Sequence, residues 1–353
     1  MSDSLDRLLE HVRQQASACE ALGSPFYAAL LTRLAEDLEA GGPSLAVLEG
    51  HADRPGPDAV ALRLLGAAHR LALSRRSPEL AAHFPSTGGD GDPESAWVAL
   101  RSLLDARPAE LREGLELAPQ TNETGRAAAL LGALLQVAGP EPVRLWEIGA
   151  SAGLNLLADR FRYRAADGQS WGRGSPVELD PAWDAVPEGA PERLEVVERV
   201  AGDVSPVDPT SAEGALRLES FVWPDQLERL ERLRGALELA REVPVRRERA
   251  TAPELLDALE LVEGTLTVVW HSVMWQYVPR EQQERTSARI EELGTRASST
   301  ARFAHIAFEP RRLAPGAPHR FVVSVRQWPA GEERILGEAP PHGAPVRWGP
   351  PEP

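Results

Sequence analysis

Apolar residues recur along this chain with two different periods, and the change between them divides it. From Leu5 to Leu22 they fall at helical spacing. Ser24-Pro25 opens a second helix, with proline in the first turn, where its missing N–H costs nothing. That helix carries Leu30, Leu31, Leu34 and Leu38 and stops at Gly41-Gly42-Pro43. Ala59 to Ser74 repeats the pattern, with Leu62, Leu65, His69 and Leu73 on one stripe. Pro85 to Pro93 reads as a loop, and Trp97–Leu104 and Thr124–Val137 as two more helices. No strand is expected in this half.

Ala138-Gly139-Pro140-Glu141-Pro142 is a cluster of breakers. Beyond it the pattern becomes short apolar runs alternating with helices. Val143–Ile148 reads as a strand, then a glycine turn, then a helix over Ala152–Asp159. Phe161 to Glu178 reads as an inserted hairpin turning at Asp167-Gly168. Leu194–Gly202 predicts a strand ending at Asp203, Pro224–Arg241 a helix, Val243–Arg249 a strand and Pro253–Leu261 a helix. Leu266–His271 is a strongly apolar strand, Pro279–Leu293 an Arg/Glu-laced helix, and Arg302–Phe308 a strand. Arg320–Trp328 and Arg334–Leu336, separated by Pro329-Ala330-Gly331, predict an antiparallel pair. Such alternation implies a parallel sheet with helices on both faces. The expectation is an α/β fold in which an all-helical N-terminal region, residues 1–137, precedes a mostly parallel sheet over 138–353, with an insertion near 161–193.

The candidate chemistry starts at Glu147-Ile148-Gly149-Ala150-Ser151-Ala152-Gly153-Leu154-Asn155. Glycine lets the backbone turn sharply, small side chains let a ligand approach the main chain, and a following helix presents free N–H groups. An acid followed by glycines at alternate positions is matched by Glu147, Gly149 and Gly153, with Ser151 in place of the middle glycine. Gly-x-Gly-x-x-Gly, the dinucleotide pattern, fails at Ser151 and Leu154. Gly149-Ala150-Ser151-Ala152-Gly153 also matches the Gly-x-Ser-x-Gly nucleophile elbow. Ser151 would then be a nucleophile, with Asp203 or Asp225 and His271 or His305 completing a triad. Hydrolases, however, place several strands before the elbow, and only helices are expected here. Ser151 is left as a cofactor contact or a helix cap.

Composition narrows the field. Among 353 residues the net charge is −15, and every basic residue is arginine. No basic stripe is present to displace counterions, so nucleic acid is not an expected partner. Without lysine, neither a Schiff base nor a lysine general base is available. Cys19 is the only cysteine, which removes a disulfide framework and a thiolate metal site within the chain. The histidines are scattered and no metal site is expected. No apolar run approaches a membrane span, and the N-terminus carries no signal pattern, so a cytoplasmic location is expected.

Further polar clusters complete the list. Asp203, at the end of the second predicted strand of the sheet, stands where a ribose-binding acid is expected. His271 closes the strand Leu266–His271 and suits a general base, and Trp275 and Tyr277 follow it. Gln120, Thr121, Asn122, Glu123 and Arg126 crowd one helix entrance; Trp223, Asp225 and Gln226 crowd another. Capping by Thr121, Asn122 or Asp225 explains part of each cluster, and the remainder is read as substrate-facing.

The turn, the strand–helix alternation and the closing antiparallel pair resemble class I S-adenosylmethionine-dependent methyltransferases. Together with Gly23-Ser24-Pro25-Phe26-Tyr27, the same stretches resemble a bacterial family whose function is not established. The resemblance implies a Rossmann-like methyltransferase sheet behind a helical N-terminal lid. It implies S-adenosylmethionine as cofactor, held by Glu147, Gly149, Ala150, Ser151, Gly153, Asn155 and Asp203. His271, Tyr277 and Glu123 are the catalytic candidates. Gln120, Asn122, Arg126, Trp223, Asp225, Gln226 and Trp275 are the substrate candidates, for a small molecule or a protein side chain. A serine hydrolase and a non-catalytic nucleotide-binding module are the alternatives.

Overall fold

A computed structural model describes residues 2–51, 59–120 and 122–350. Its helices are α1 (Ser2–Ala21), α2 (Pro25–Glu39), α3 (Pro43–Leu48), α4 (Val60–Leu73), α5 (Pro78–Ala81), α6 (Pro93–Ala106), α7 (Pro108–Leu115), α8 (Ala127–Val137), α9 (Ala212–Ser220), α10 (Leu227–Glu242), α11 (Ala252–Asp257) and α12 (Arg280–Arg296). Two compact units divide the chain: residues 1–121 with 211–230, and residues 122–210 with 231–353.

The first unit is helical. Proline stands in the first turn of α2, α3, α5, α6 and α7, where its fixed φ favours the helix and no hydrogen bond is lost. Leu30, Leu31 and Leu34 of α2 pack with Leu64 and Leu65 of α4 in one core. His69 lies in that core fully buried. Its ring nitrogens meet Ser220 O at 3.1 Å and Ser86 Oγ at 2.7 Å, so it is a satisfied core histidine. Thr121, read as one alternative cap, lies outside the described residues.

The second unit carries β1 (Val143–Ile148), β2 (Arg162–Ala165), β3 (Ser170–Trp171), β4 (Glu178–Trp183), β5 (Val196–Asp203), β6 (Arg246–Arg249), β7 (Thr265–Ser272), β8 (Ala301–Arg311), β9 (Arg320–Trp328), β10 (Glu333–Ala339) and β11 (Arg347–Trp348). The main sheet runs β11-β10-β9-β8-β7-β1-β5-β6. Its β6-β5-β1-β7-β8 portion is parallel; β9, β10 and β11 add antiparallel, one after another. The chain moves from β1 to β5 and β6 on one side, then returns to β7 on the other. The gap between β1 and β7 is therefore a topological switch point, and ligands of such sheets bind beyond the carboxyl ends of the strands there. Val268, Val269 and Trp270 of β7 are fully buried, as expected of a strand covered on both faces. Edge strand β6 reads Arg246-Arg247-Glu248-Arg249, and its charge guards against pairing with another chain.

Three expectations are refined. The helix over 152–159 is a 3-10 segment, Leu154–Arg160. Arg199 Nε–H donates to Leu156 O at 3.0 Å and Tyr163 Oη–H to Ala158 O at 2.8 Å, which draws those carbonyls off an α ladder. The insertion is a three-stranded sheet: β2 and β3 form the hairpin, and β4 lies parallel to β2. Finally, α8 belongs with the sheet and not with the preceding helices. It is apolar almost all round and packs on β8 and β9, so it is a covering layer of the α/β unit.

Candidate functional site

The turn after β1 places Gly149, Ser151 and Gly153 all in the left-handed region, at φ +66°, +54° and +72°. That alternation is what an alternate-glycine sequence encodes. Ser151 adopts the middle position at a cost of about 1–2 kcal/mol relative to glycine. Three bonds hold the conformation. Ala150 N–H donates to Gly202 O at 3.1 Å. Ser151 N–H donates to Asp203 Oδ2 at 2.8 Å. Leu154 N–H donates to Asn122 Oδ1 at 2.8 Å. Asp203 Oδ1 also accepts from Ser205 N–H at 2.8 Å. The carboxylate ending β5 thus fastens the turn ending β1. A Cβ on Gly153 would stand 2.8 Å from Ala201 Cβ, and one on Gly149 would stand 2.9 Å from Met274 Cε. Gly153 has no room for a side chain, and at both positions the left-handed φ would strain one.

Glu147 lies under this turn, 2% exposed. Its Oε1 accepts from Trp270 Nε1–H at 3.0 Å across the β1–β7 pair. Burial raises its pKa to about 8, against the lowering effects of the Trp270 bond, Asn155 and the Arg126 charge. At neutral pH the group is therefore mostly protonated. Glu147 Oε2, Ser151 Oγ and Asn155 Oδ1 are sealed from solvent and have no hydrogen-bond partner among the described residues.

On the β7–β8 side, His271 Nδ1 lies 2.8 Å from Glu309 Oε1. The same oxygen accepts from Met274 N–H at 3.1 Å and Trp275 N–H at 3.3 Å. A neutral imidazole facing such an acceptor carries its proton on Nδ1, which leaves Nε2 as an acceptor. The ring stacks on Trp275, with centroids 5.0 Å apart, and packs against His305 at 5.1 Å. Burial, and then the charges of His271, Arg326 and Arg311, hold His305 well below the usual histidine range. Between the two clusters runs the loop after β7. Its Val273 has φ +50°, a conformation that a β-branched residue adopts only when its surroundings enforce it.

A model of the bacterial family DUF2332, described as "Uncharacterized protein conserved in bacteria", matches residues 9–348. The chain belongs to this family. No curated protein and no solved structure matches it.

The remaining residues of this DUF2332 member fall into three groups. Asn122, Glu123 and Arg126 join the sheet unit. Glu123 accepts from Gly125 N–H at 3.1 Å and lies 3.5 Å from His342 Nδ1. Arg126 donates to Pro341 O at 3.2 Å and Ser272 O at 3.4 Å. Glu123 is thus a local cap paired to the C-terminal segment. Gln120, Trp223, Asp225 and Gln226 belong to the first unit. There Asp225 accepts from Ser24 Oγ–H at 2.6 Å and Phe26 N–H at 3.0 Å, fastening the start of α2. Gln226 donates to Leu22 O at 2.9 Å, and Trp223 lies against Tyr27. Tyr277 is 76% exposed, a poor setting for shielded proton transfer.

The hydrolase arrangement is not assembled. Ser151 Oγ has no partner among the described residues, His271 is engaged with Glu309, and the turn follows the first strand of the sheet. Sequence reasoning missed Trp270 and Glu309. Phe308-Glu309-Pro310, an acid at a strand end before proline, was the available signal. Among the described residues no His/Cys/Asp/Glu cluster could hold a metal ion, and no helix is long and apolar enough to cross a membrane.

Proposed function

We propose that this protein is an S-adenosylmethionine-dependent methyltransferase acting on a small molecule or a protein side chain. The observation that carries the reading is the turn at the switch point: three alternate left-handed residues, 149, 151 and 153, tied by Asp203 from the neighbouring strand.

The residues present suit the cofactor. Asn155 Oδ1 is an orphaned acceptor and Ser151 Oγ an orphaned hydroxyl; Glu147 Oε2, a donor while the carboxyl is protonated, would become an acceptor beside a ligand ammonium group, whose charge favours the ionised form. Gly149, Ala150 and Gly153 would give it access to the main chain. Asp203 keeps spare lone pairs on both oxygens for a ribose diol. When bound, S-adenosylmethionine supplies a methyl group on a positively charged sulfur. The chain's own part is to bind, to orient and to accept a proton at His271 Nε2, with Glu309 holding the ring.

Equilibrium titration with S-adenosylmethionine and S-adenosylhomocysteine tests the reading. Micromolar binding is expected, weakened at least tenfold by Asp203→Ala. No binding of either ligand at millimolar concentration would refute it. A non-catalytic binding module would bind alike and lack turnover.

A further inference from the structure

The second unit holds a cleft of about 870 Å³ whose lining includes His271, Trp275, His305, Glu309, Arg311 and Arg326. That volume is ordinary for a small-molecule site. We propose that this cleft binds a flat, non-anionic molecule carrying an O–H or N–H group, which donates its hydrogen bond to His271 Nε2. Taking that molecule as the methyl acceptor rests on the function proposed above; its binding does not.

Glu309 occupies His271 Nδ1, so the nitrogen left to the cleft is an acceptor. His271 is 3% exposed and Glu309 6%, so the pair is a built feature and not a surface accident. Stacking on Trp275 and packing on His305 hold the ring in place. Glu309 is a positioning residue: through one oxygen it orients His271 and the backbone of Met274 and Trp275.

Charge selects the ligand next. Arg311 pairs with Glu333 at 2.7 Å, and Arg326 pairs with Glu291. Among the described residues of the lining both guanidinium groups are paired, and Glu309 would repel an anion. Shape follows from the walls, where the Trp275 ring and Phe321 offer flat apolar surface. The loop also links this cleft to the glycine turn: Met274 abuts Gly149, and the next residue, Trp275, covers His271. If the ligand's O–H proton passes to His271, the O–H bond breaks, an N–H bond forms on Nε2, and oxygen keeps the electron pair. Glu309 then offsets the imidazolium charge.

Phenol is a suitable probe, being uncharged at pH 7. Toluene lacks the donor, and benzoate carries a negative charge. Ligand-observed NMR on the full chain, without cofactor, is expected to give millimolar binding of phenol. Toluene should bind about threefold to tenfold more weakly, the worth of one hydrogen bond, and benzoate more weakly still. In protein labelled with ¹⁵N-histidine, His271 should show a protonated Nδ1 and a bare Nε2 whose shift moves on adding phenol; Glu309→Gln should mix the tautomers. Trp275→Ala, a half-buried loop change, should weaken phenol at least fivefold without unfolding the chain. Equal binding of phenol and toluene, a protonated Nε2 in the native protein, or unchanged affinity in Trp275→Ala would overturn the proposal. Phenol binding beside absent S-adenosylmethionine binding would uphold the cleft and remove only its assignment to methyl transfer.

Discussion

Replacing Glu147 with glutamine preserves the side chain's shape and its bond from Trp270, and removes its ability to ionise. The native group has its pKa raised from 4.5 to about 8 by burial. Between those pH values the folded chain keeps a proton that the unfolded chain has released. Stability therefore falls as pH rises through this window and levels off above about 8. At about 1.4 kcal/mol per pH unit, the loss amounts to about 3 kcal/mol by pH 7 and about 5 kcal/mol above pH 8. The glutamine variant escapes it. Near pH 4.5 the two proteins should be equally stable, and at pH 7 the variant should lead by about 3 kcal/mol. Guanidinium unfolding at half-unit steps from pH 4.5 to 9 measures this. All other titrating groups cancel in the difference between the proteins. Parallel stability curves would refute the reasoning, because they would mean that Glu147 titrates alike in both states. The same variant informs on the proposed function: if ionised Glu147 meets a ligand ammonium, Glu147→Gln weakens S-adenosylmethionine most at high pH.

Ser151→Gly should raise stability by about 1 kcal/mol, since relief of the left-handed strain and of a buried orphan hydroxyl outweighs glycine's extra chain entropy; a clear loss in thermal unfolding would mean that Ser151 Oγ has a partner. Asp225→Ala should cost about 2 kcal/mol through the lost bonds to Ser24 and Phe26, with S-adenosylmethionine affinity unchanged by calorimetry; altered affinity would return Asp225 to the ligand site. A fluorophosphonate probe should leave Ser151 unlabelled by mass spectrometry, because no histidine activates it; labelling lost in Ser151→Ala would restore the hydrolase reading.

Much of this was readable in the chain itself. Hydrophobic period separates the leading helices from the α/β portion, since the 3.6- and 2-residue repeats reflect side-chain geometry local to each element. The breaker cluster before β1, the glycine turn and the closing antiparallel pair are equally local. Glu147, Gly149, Gly153 and Asp203 stand out in the sequence because strand-end and turn positions leave a mark in a short window. Other features have no such mark. Asp225 looks like a ligand residue in isolation; only the fold brings Ser24 and Phe26, some two hundred positions earlier, onto its carboxylate. The same holds for α8, whose periodicity predicts a helix but not which core it covers.

The sequence by itself determined a strand, a sharp small-residue turn and an acid at the end of a later strand, because side-chain alternation and glycine φ are local constraints; the fold brought them together at the carboxyl ends of β1 and β5. Tertiary structure alone decided the chemical state of those groups. Glu147 is mostly protonated at neutral pH because neighbouring strands and the covering layer strip it of water. His271 turns Nε2, not Nδ1, toward other partners because Glu309, on a strand reached only after α12, takes Nδ1. Desolvation and partner choice depend on what surrounds a residue in space, and no window along the chain carries that information.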